Sequence, residues 1–209
     1  LRKCDSGGMV LHLIVLADIH SDLRFLPAIG ETLIAADVIL IAGDITHFGG
    51  RTGARQVVEE LRMYNRKVLA VPGNCDGVDV ERFLVAEGIS LHGRRVDMQD
   101  VTFGGVCHWL DCSKDVQEGK SVRDGYELAE SLLKGARQTV LVTHQPAYGT
   151  KVDSTHGHHA GSRETRALIE RLEPILAVSG HIHEAAGTDR LGKTRSEERR
   201  VGKECRSRW

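Results

Sequence analysis

Aromatic side chains are scarce: only 4% of the 209 residues are Phe, Trp or Tyr. The core is therefore aliphatic, and stacking platforms for the bases of a polynucleotide are few. An excess of one charge is also lacking. The formal net charge is −1, so nothing electrostatic points to a nucleic-acid or membrane partner. No apolar run approaches the roughly 20 residues of a membrane-spanning helix. The longest near the start, Leu11 to Ala17, also lacks the cleavage region of a secretory signal. Cys4, Cys75, Cys107, Cys112 and Cys205 are odd in number and show no CxxC spacing. Reduced thiols and a cytoplasmic location are the expectation. Internal repeats, low-complexity segments and interdomain linkers are absent, and this length suits one domain.

The two ends differ from the middle. The chain starts at Leu1, and Met9 stands just before the first strand-like run. Residues 1–8 are expected to be upstream read-through. Arg195 to Trp209 holds six basic and three acidic residues with almost no apolar pattern. It resembles the translation of a synthetic sequencing adapter and is expected to be foreign to the fold. Without it the chain has 22 basic and 26 acidic residues, a net −4. The expected domain is thus 9–194, lacking its natural C-terminus and leaving one sheet edge bare.

What the sequence has is a repeated device. Val38 to Ala42 is an unbroken apolar run that ends in Gly43-Asp44, which reads as a strand buried on both faces. A carboxylate there needs a partner, because burying it alone is costly. Four other runs end likewise, in Asp18-Ile-His20, Asn74-Cys75-Asp76, His144 and His181-Ile-His183. Between them lie helical patterns over Leu23–Ala36 (with Asp22 as N-cap), Arg51–Tyr64 and Val78–Glu87. Later come a hairpin over Arg94–Val106, a helix over Tyr126–Leu133, and a long loop Pro146–Ser162. A further helix, Arg163–Leu172, is capped by Ser162. Strand–helix alternation predicts an α/β fold with a largely parallel sheet.

Parallel strands collect their terminal ligands at one edge. Asp18, His20, Asp44, Asn74, His144, His181 and His183 mix carboxylate, imidazole and amide donors. Such a set suits borderline divalent ions and not calcium. Seven ligands are too many for one ion. Two ions roughly 3.5–4 Å apart, sharing a carboxylate, would use them.

In this order the motifs resemble the calcineurin-like metallophosphoesterases, over Leu11 to about Thr194. The resemblance implies a four-layer αββα sandwich, truncated at the C-terminus, with a dinuclear metal centre. It implies that Asp18, His20 and His183 hold one ion and that Asn74, His144 and His181 hold the other. Asp44 bridges them. Manganese is the first choice, with iron, zinc or nickel as alternatives. Many members carry Gly-Asn-His at 73–75; here position 75 is cysteine. Gly73-Asn74-Cys75-Asp76, with Gly149-Thr-Lys-Val-Asp153 and His159-Ala-Gly161-Ser162, resembles the small prokaryotic phosphodiesterase branch. The expected reaction is attack on a small phosphodiester by a hydroxide held between the ions. Asp44, Asn74 and Cys75 are its expected catalytic residues, and Cys75 and His159 its expected substrate contacts. A phosphomonoesterase, a nuclease and a silent scaffold are the alternatives, and a homo-oligomer is compatible. His12, His92, His108, His156 and His158 are read as structural, loop or surface histidines, and Cys107 and Cys112 as small apolar filler.

Overall fold

The computed structural model describes residues 11–107 and 122–198. Met9, the segment 1–8, His108, Cys112 and the tail beyond Glu198 lie outside the described residues. Three strands, β1 (Leu13–Leu16), β2 (Val38–Ala42) and β3 (Val68–Val71), form a parallel sheet in the order β1-β2-β3. Three helices cover its outer face: α1 (Leu26–Ala35), α2 (Gly50–Tyr64) and α3 (Val78–Ala86). The aliphatic faces of these helices meet Ile39, Ile41, Val68 and Ala70 from the strands in one buried cluster.

A second sheet packs on the inner face of the first. It contains β4 (Arg95–Met98), β5 (Val101–Val106), β6 (Thr139–Thr143), β9 (Leu176–Ser179), β10 (Gly187–Leu191) and β11 (Thr194–Glu198). Their order is β10-β11-β9-β6-β5-β4; the β5-β6-β9-β11 centre is parallel and the two outer pairings are antiparallel. Val38, Leu40 and Val71 of the first sheet interleave with Phe103, Val140, Val142 and Val178 of the second. Helices α4 (Val122–Leu133) and α5 (Arg163–Leu172) close the far side over Leu141 and Ala177. The layers are therefore helix, sheet, sheet, helix, as expected. The chain's unbroken apolar strands follow from burial on both faces. The small pair β7 (Ser154–Thr155) and β8 (His158–His159) lies in the Pro146–Ser162 loop.

Several expectations change. Asp22 does not cap α1, which begins after Phe25 with Pro27 in its first turn; the Asp22 carboxylate instead holds Arg24 at 2.5 Å. Ser162 does cap α5, accepting the Thr165 N–H at 3.0 Å. His12 precedes β1 and is exposed. His92 lies in the connection between α3 and β4 and is half-buried: its Nδ1 accepts the Cys107 N–H at 3.2 Å, and burial pulls its imidazole pKa down. Residues 195–198 belong to β11, which pairs with β9 on one side and β10 on the other. Thr194 and Ser196 point inward and Arg195 outward, a period-two pattern with no apolar residue to advertise it. Among the described residues, no helix is long and apolar enough to cross a membrane.

Glu81 on α3 is a buried carboxyl outside the ligand cluster. Its Oε1 accepts the Ser90 hydroxyl at 2.7 Å, while Oε2 has no partner. Burial raises its pKa to about 7, only partly offset by Ser90 and Arg94. The folded state therefore binds this proton more tightly than the unfolded chain. Its stabilising contribution is complete below the ordinary glutamate range and is lost as pH rises toward 7, by at most about 3 kcal/mol. Glu81→Gln should melt higher than the parent at pH 8, with the gap closing by pH 5. Thermal melts across that range test this.

Candidate metal centre

The ligand-bearing turns all leave the carboxyl ends of parallel strands, so the sheets deliver them to one edge. The turns after β1 and β2 run side by side. The N–H groups of Asp18, His20 and Ser21 donate to the carbonyls of Gly43, Asp44 and Ile45 at 2.9–3.1 Å. This pairing demands unusual backbone. Asp18, His20, Ser21, Asp44, Phe48 and His181 all have positive φ, between 48° and 80°. Non-glycine residues rarely adopt that region, and strain of this kind gathers at functional sites. Two glycines let the turns approach. A Cβ at Gly43 would strike the His144 ring, and one at Gly73 would strike the Asp44 carboxylate.

Asp44 stands at the centre. Its Oδ1 accepts the Cys75 N–H at 2.7 Å and lies 3.5 Å from His144 Nε2, while its Oδ2 lies 3.7 Å from His20 Nε2. Asp18 accepts the His181 N–H at 3.1 Å and lies 3.3 Å from His183 Nε2. The rings of His20 and His183 meet edge to face at 5.6 Å, and those of His144 and His181 at 5.0 Å. Three overlapping groups have ligand atoms close enough to hold an ion: Asp18–His20–His183, Asp18–Asp44–His144 and His20–Asp44–Cys75. Five of the seven expected ligands fall in these groups; Asn74 Oδ1 lies 2.9 Å from His144 Nε2 and the His181 ring packs on the His144 ring, while His159 is in none of the groups.

One feature of the site calls for positive charge. His144 Nδ1 lies 2.9 Å from the Ala42 carbonyl, which only accepts, so Nδ1 carries the proton. Its Nε2 then presents a lone pair 2.9 Å from Asn74 Oδ1 and close to Asp44 Oδ1. A cation or a second ring proton reconciles these acceptors. His20 Nδ1 is buried with no partner. Burial also pulls the His181 imidazole pKa down, against the opposing charge of Asp44, which favours a neutral ring with a lone pair. The donor set therefore fits a pair of borderline divalent ions.

Cys75 lies within this group with its thiol buried. Burial, then the charge of Asp44, pushes its pKa up to about 12 in the ion-free chain. Asn74 Nδ2 donates to Cys75 Sγ at 3.5 Å.

Two carboxylates that the sequence reading left without a role position these turns. Asp76 is buried and accepts four hydrogen bonds: Ile45 N–H, Gly73 N–H, Thr46 N–H and the Thr46 hydroxyl, at 2.8–2.9 Å. It clamps the Asp44 turn to the Asn74 turn. Asp153 does the same for the Pro146–Ser162 loop, accepting the N–H groups of Gly149, Thr150 and Gly161 at 2.9–3.1 Å. It also holds His159 Nδ1 at 2.7 Å, and Arg163 stacks over Tyr148 beside His159 at 4.1 Å. A carboxylate in a glycine-bounded turn was the available signal for both.

An edge-of-sheet cluster built for a pair of divalent cations defines a class: metal-dependent phosphoesterases of two-sheet architecture. The chain belongs to the calcineurin-like phosphoesterase family, whose model matches residues 11–185. It is 29% identical over 189 residues to the Methanocaldococcus jannaschii protein MJ1162, covering 88% of this chain and 85% of that one. It is 27% identical to the Caenorhabditis elegans UPF0046 protein K07C11.7, covering 90% and 69%. Its fold is similar to that of TT1561 of Thermus thermophilus, with a TM-score of 0.67, 16% identity, and 91% and 89% of the two chains covered. A dimetal phosphatase from Danio rerio shares the fold at a TM-score of 0.61 and 11% identity, with 91% and 87% covered.

Asp76→Asn places an NH₂ group against backbone donors that now face oxygen. It should lower stability by about 3 kcal/mol. Urea melts of the two proteins measure the difference.

Proposed function

We propose that the protein hydrolyses small phosphodiesters, with Asp18, His20 and His183 holding one divalent ion and Asn74, His144 and His181 the other. Asp44 is shared between them. When bound, the ions supply a water acidified toward neutrality and neutralise the non-bridging phosphate oxygens. The chain's own residues do the rest. Asp44 is fixed by the Cys75 N–H and cannot turn away from the centre. The His144 tautomer is set by Ala42 O, which keeps Nε2 available. Asn74 is aimed by its side-chain contacts with His144 and Cys75.

The observation that carries the diester reading is Cys75. The resemblance puts a histidine there in many relatives, as proton donor to the leaving alkoxide. A buried thiol beside Asp44 is a poor substitute. Monoesters with basic leaving groups suffer most from that loss. Diesters with good leaving groups need little protonation. Manganese is the ion of choice, and a cytoplasmic setting keeps the thiols of Cys75 and Cys107 reduced. His159, held by Asp153, is in this reading the second expected substrate contact.

The test is paired turnover of bis(p-nitrophenyl) phosphate and glycerol 2-phosphate, a monoester whose alkoxide leaving group needs a proton, with Mn²⁺ or with chelator. The diester should be favoured, and chelator or Asp44→Asn should remove turnover. Equal or greater monoester turnover would contradict the reading of Cys75. Cys75→His should raise monoester kcat/KM by at least about tenfold.

A further inference from the structure

Phe48 is conspicuous in a chain with four phenylalanines. Its side chain is 74% exposed, and its φ is +57°, where a bulky side chain is a rarity. Glycine would sit there without strain, and Gly49 and Gly50 follow directly. The Phe48 N–H donates to the Cys75 carbonyl at 3.2 Å, which ties this loop to the Asn74–Cys75 turn. The ring belongs to an edge-to-face series: Phe48 to His47 at 5.3 Å, His47 to His20 at 5.5 Å, and His20 to His183 at 5.6 Å. An apolar ring in strained backbone thus stands two ring contacts from the His20–Asp44 pair. Folding alone gives no reason for it, since exposure buries little apolar surface.

His20 also lines an open polar pocket of about 640 Å³, together with Ser21, Asp22, Arg24, Gln56 and Glu60. Ser21 lies beside Gly49 and Gly53 at the start of α2, so pocket and aromatic loop share a border.

We propose that Phe48, braced by His47, is a shelf on which one arm of the substrate stacks a single flat aromatic group of the nucleobase kind, with the sugar hydroxyls turned toward the Ser21–Gln56 pocket. One ring beside one polar pocket suits a mononucleoside phosphodiester. A polynucleotide track needs successive platforms and positive charge. Phe48 is then a specificity residue, and the proposal rests on the phosphodiesterase reading above.

The experiment has a binding arm and a turnover arm. In the first, calorimetry compares thymidine 5′-monophosphate with inorganic phosphate on the Mn²⁺-loaded protein. Wild type should prefer the nucleotide, and Phe48→Ala should lose about tenfold of its affinity with phosphate unchanged. In the second, thymidine 5′-(p-nitrophenyl phosphate) is compared with methyl p-nitrophenyl phosphate, which releases the same product. Phe48→Ala should raise KM about tenfold for the thymidine ester alone, and Phe48→Trp should retain the preference. Phe48→Gly, relieved of the strained φ, should melt no lower than wild type and yet lose the preference. Equal binding of nucleotide and phosphate by wild type overturns the shelf. So does equal loss on both ligands in Phe48→Ala, or a preference that survives in Phe48→Gly. A nucleotide preference that depends on Phe48, without turnover of either diester, upholds the shelf and overturns the diesterase reading instead.

Discussion

A carboxylate taken out of water must be given donors or cations, and among the described residues the hydrogen-bond donors to Asp44 are the N–H and the thiol of Cys75. The Cys75 N–H holds Oδ1; beyond that, the carboxylate faces imidazole nitrogens of His20 and His144. Those two histidines come from different sheets. The buried oxygen pair is thus the point at which the halves of the sandwich meet electrostatically, and the Ala42 carbonyl bound to His144 Nδ1 fixes their separation. Removing cation-binding capacity here would leave a buried negative charge poorly compensated.

Much local structure follows from bringing Asp44 to that point. Gly43 and Gly73 lack side chains because His144 and the Asp44 carboxylate occupy the space. The turns after β1 and β2 accept left-handed backbone at Asp18, His20, Ser21 and Asp44 so that their peptide groups can pair. Asp76 answers four donors and locks the Asp44 and Asn74 turns together. The aliphatic cores on both sides of each sheet give these strained turns a rigid base, since close-packed interiors resist small displacements.

The clustering of the candidate ligands was legible because each directly follows an apolar run, and a parallel sheet gathers such ends without further information. The layer order was legible only through the family resemblance; periodicity gave alternation and no more. Other features were hidden for physical reasons. Asp22 looked like a cap because its type and position were right, yet Arg24 captured its carboxylate. Strand β11 was hidden because backbone pairing with β9 and β10 asks little of side chains, and Thr194 and Ser196 fill its inward positions. The work of Asp76 is done on backbone donors brought from the Ile45–Thr46 turn, about 30 residues away. Phe48 drew no notice because exposure and a positive φ are properties of the folded chain.

The central claim is that this edge holds two ions that share Asp44. Equilibrium dialysis against Mn²⁺, followed by electron paramagnetic resonance of the loaded protein, tests it most directly. Two manganese ions per chain with a spin-coupled spectrum are predicted, with Asp44→Asn abolishing the coupling. A single bound ion, or two ions with the spectrum of isolated manganese, would contradict the account.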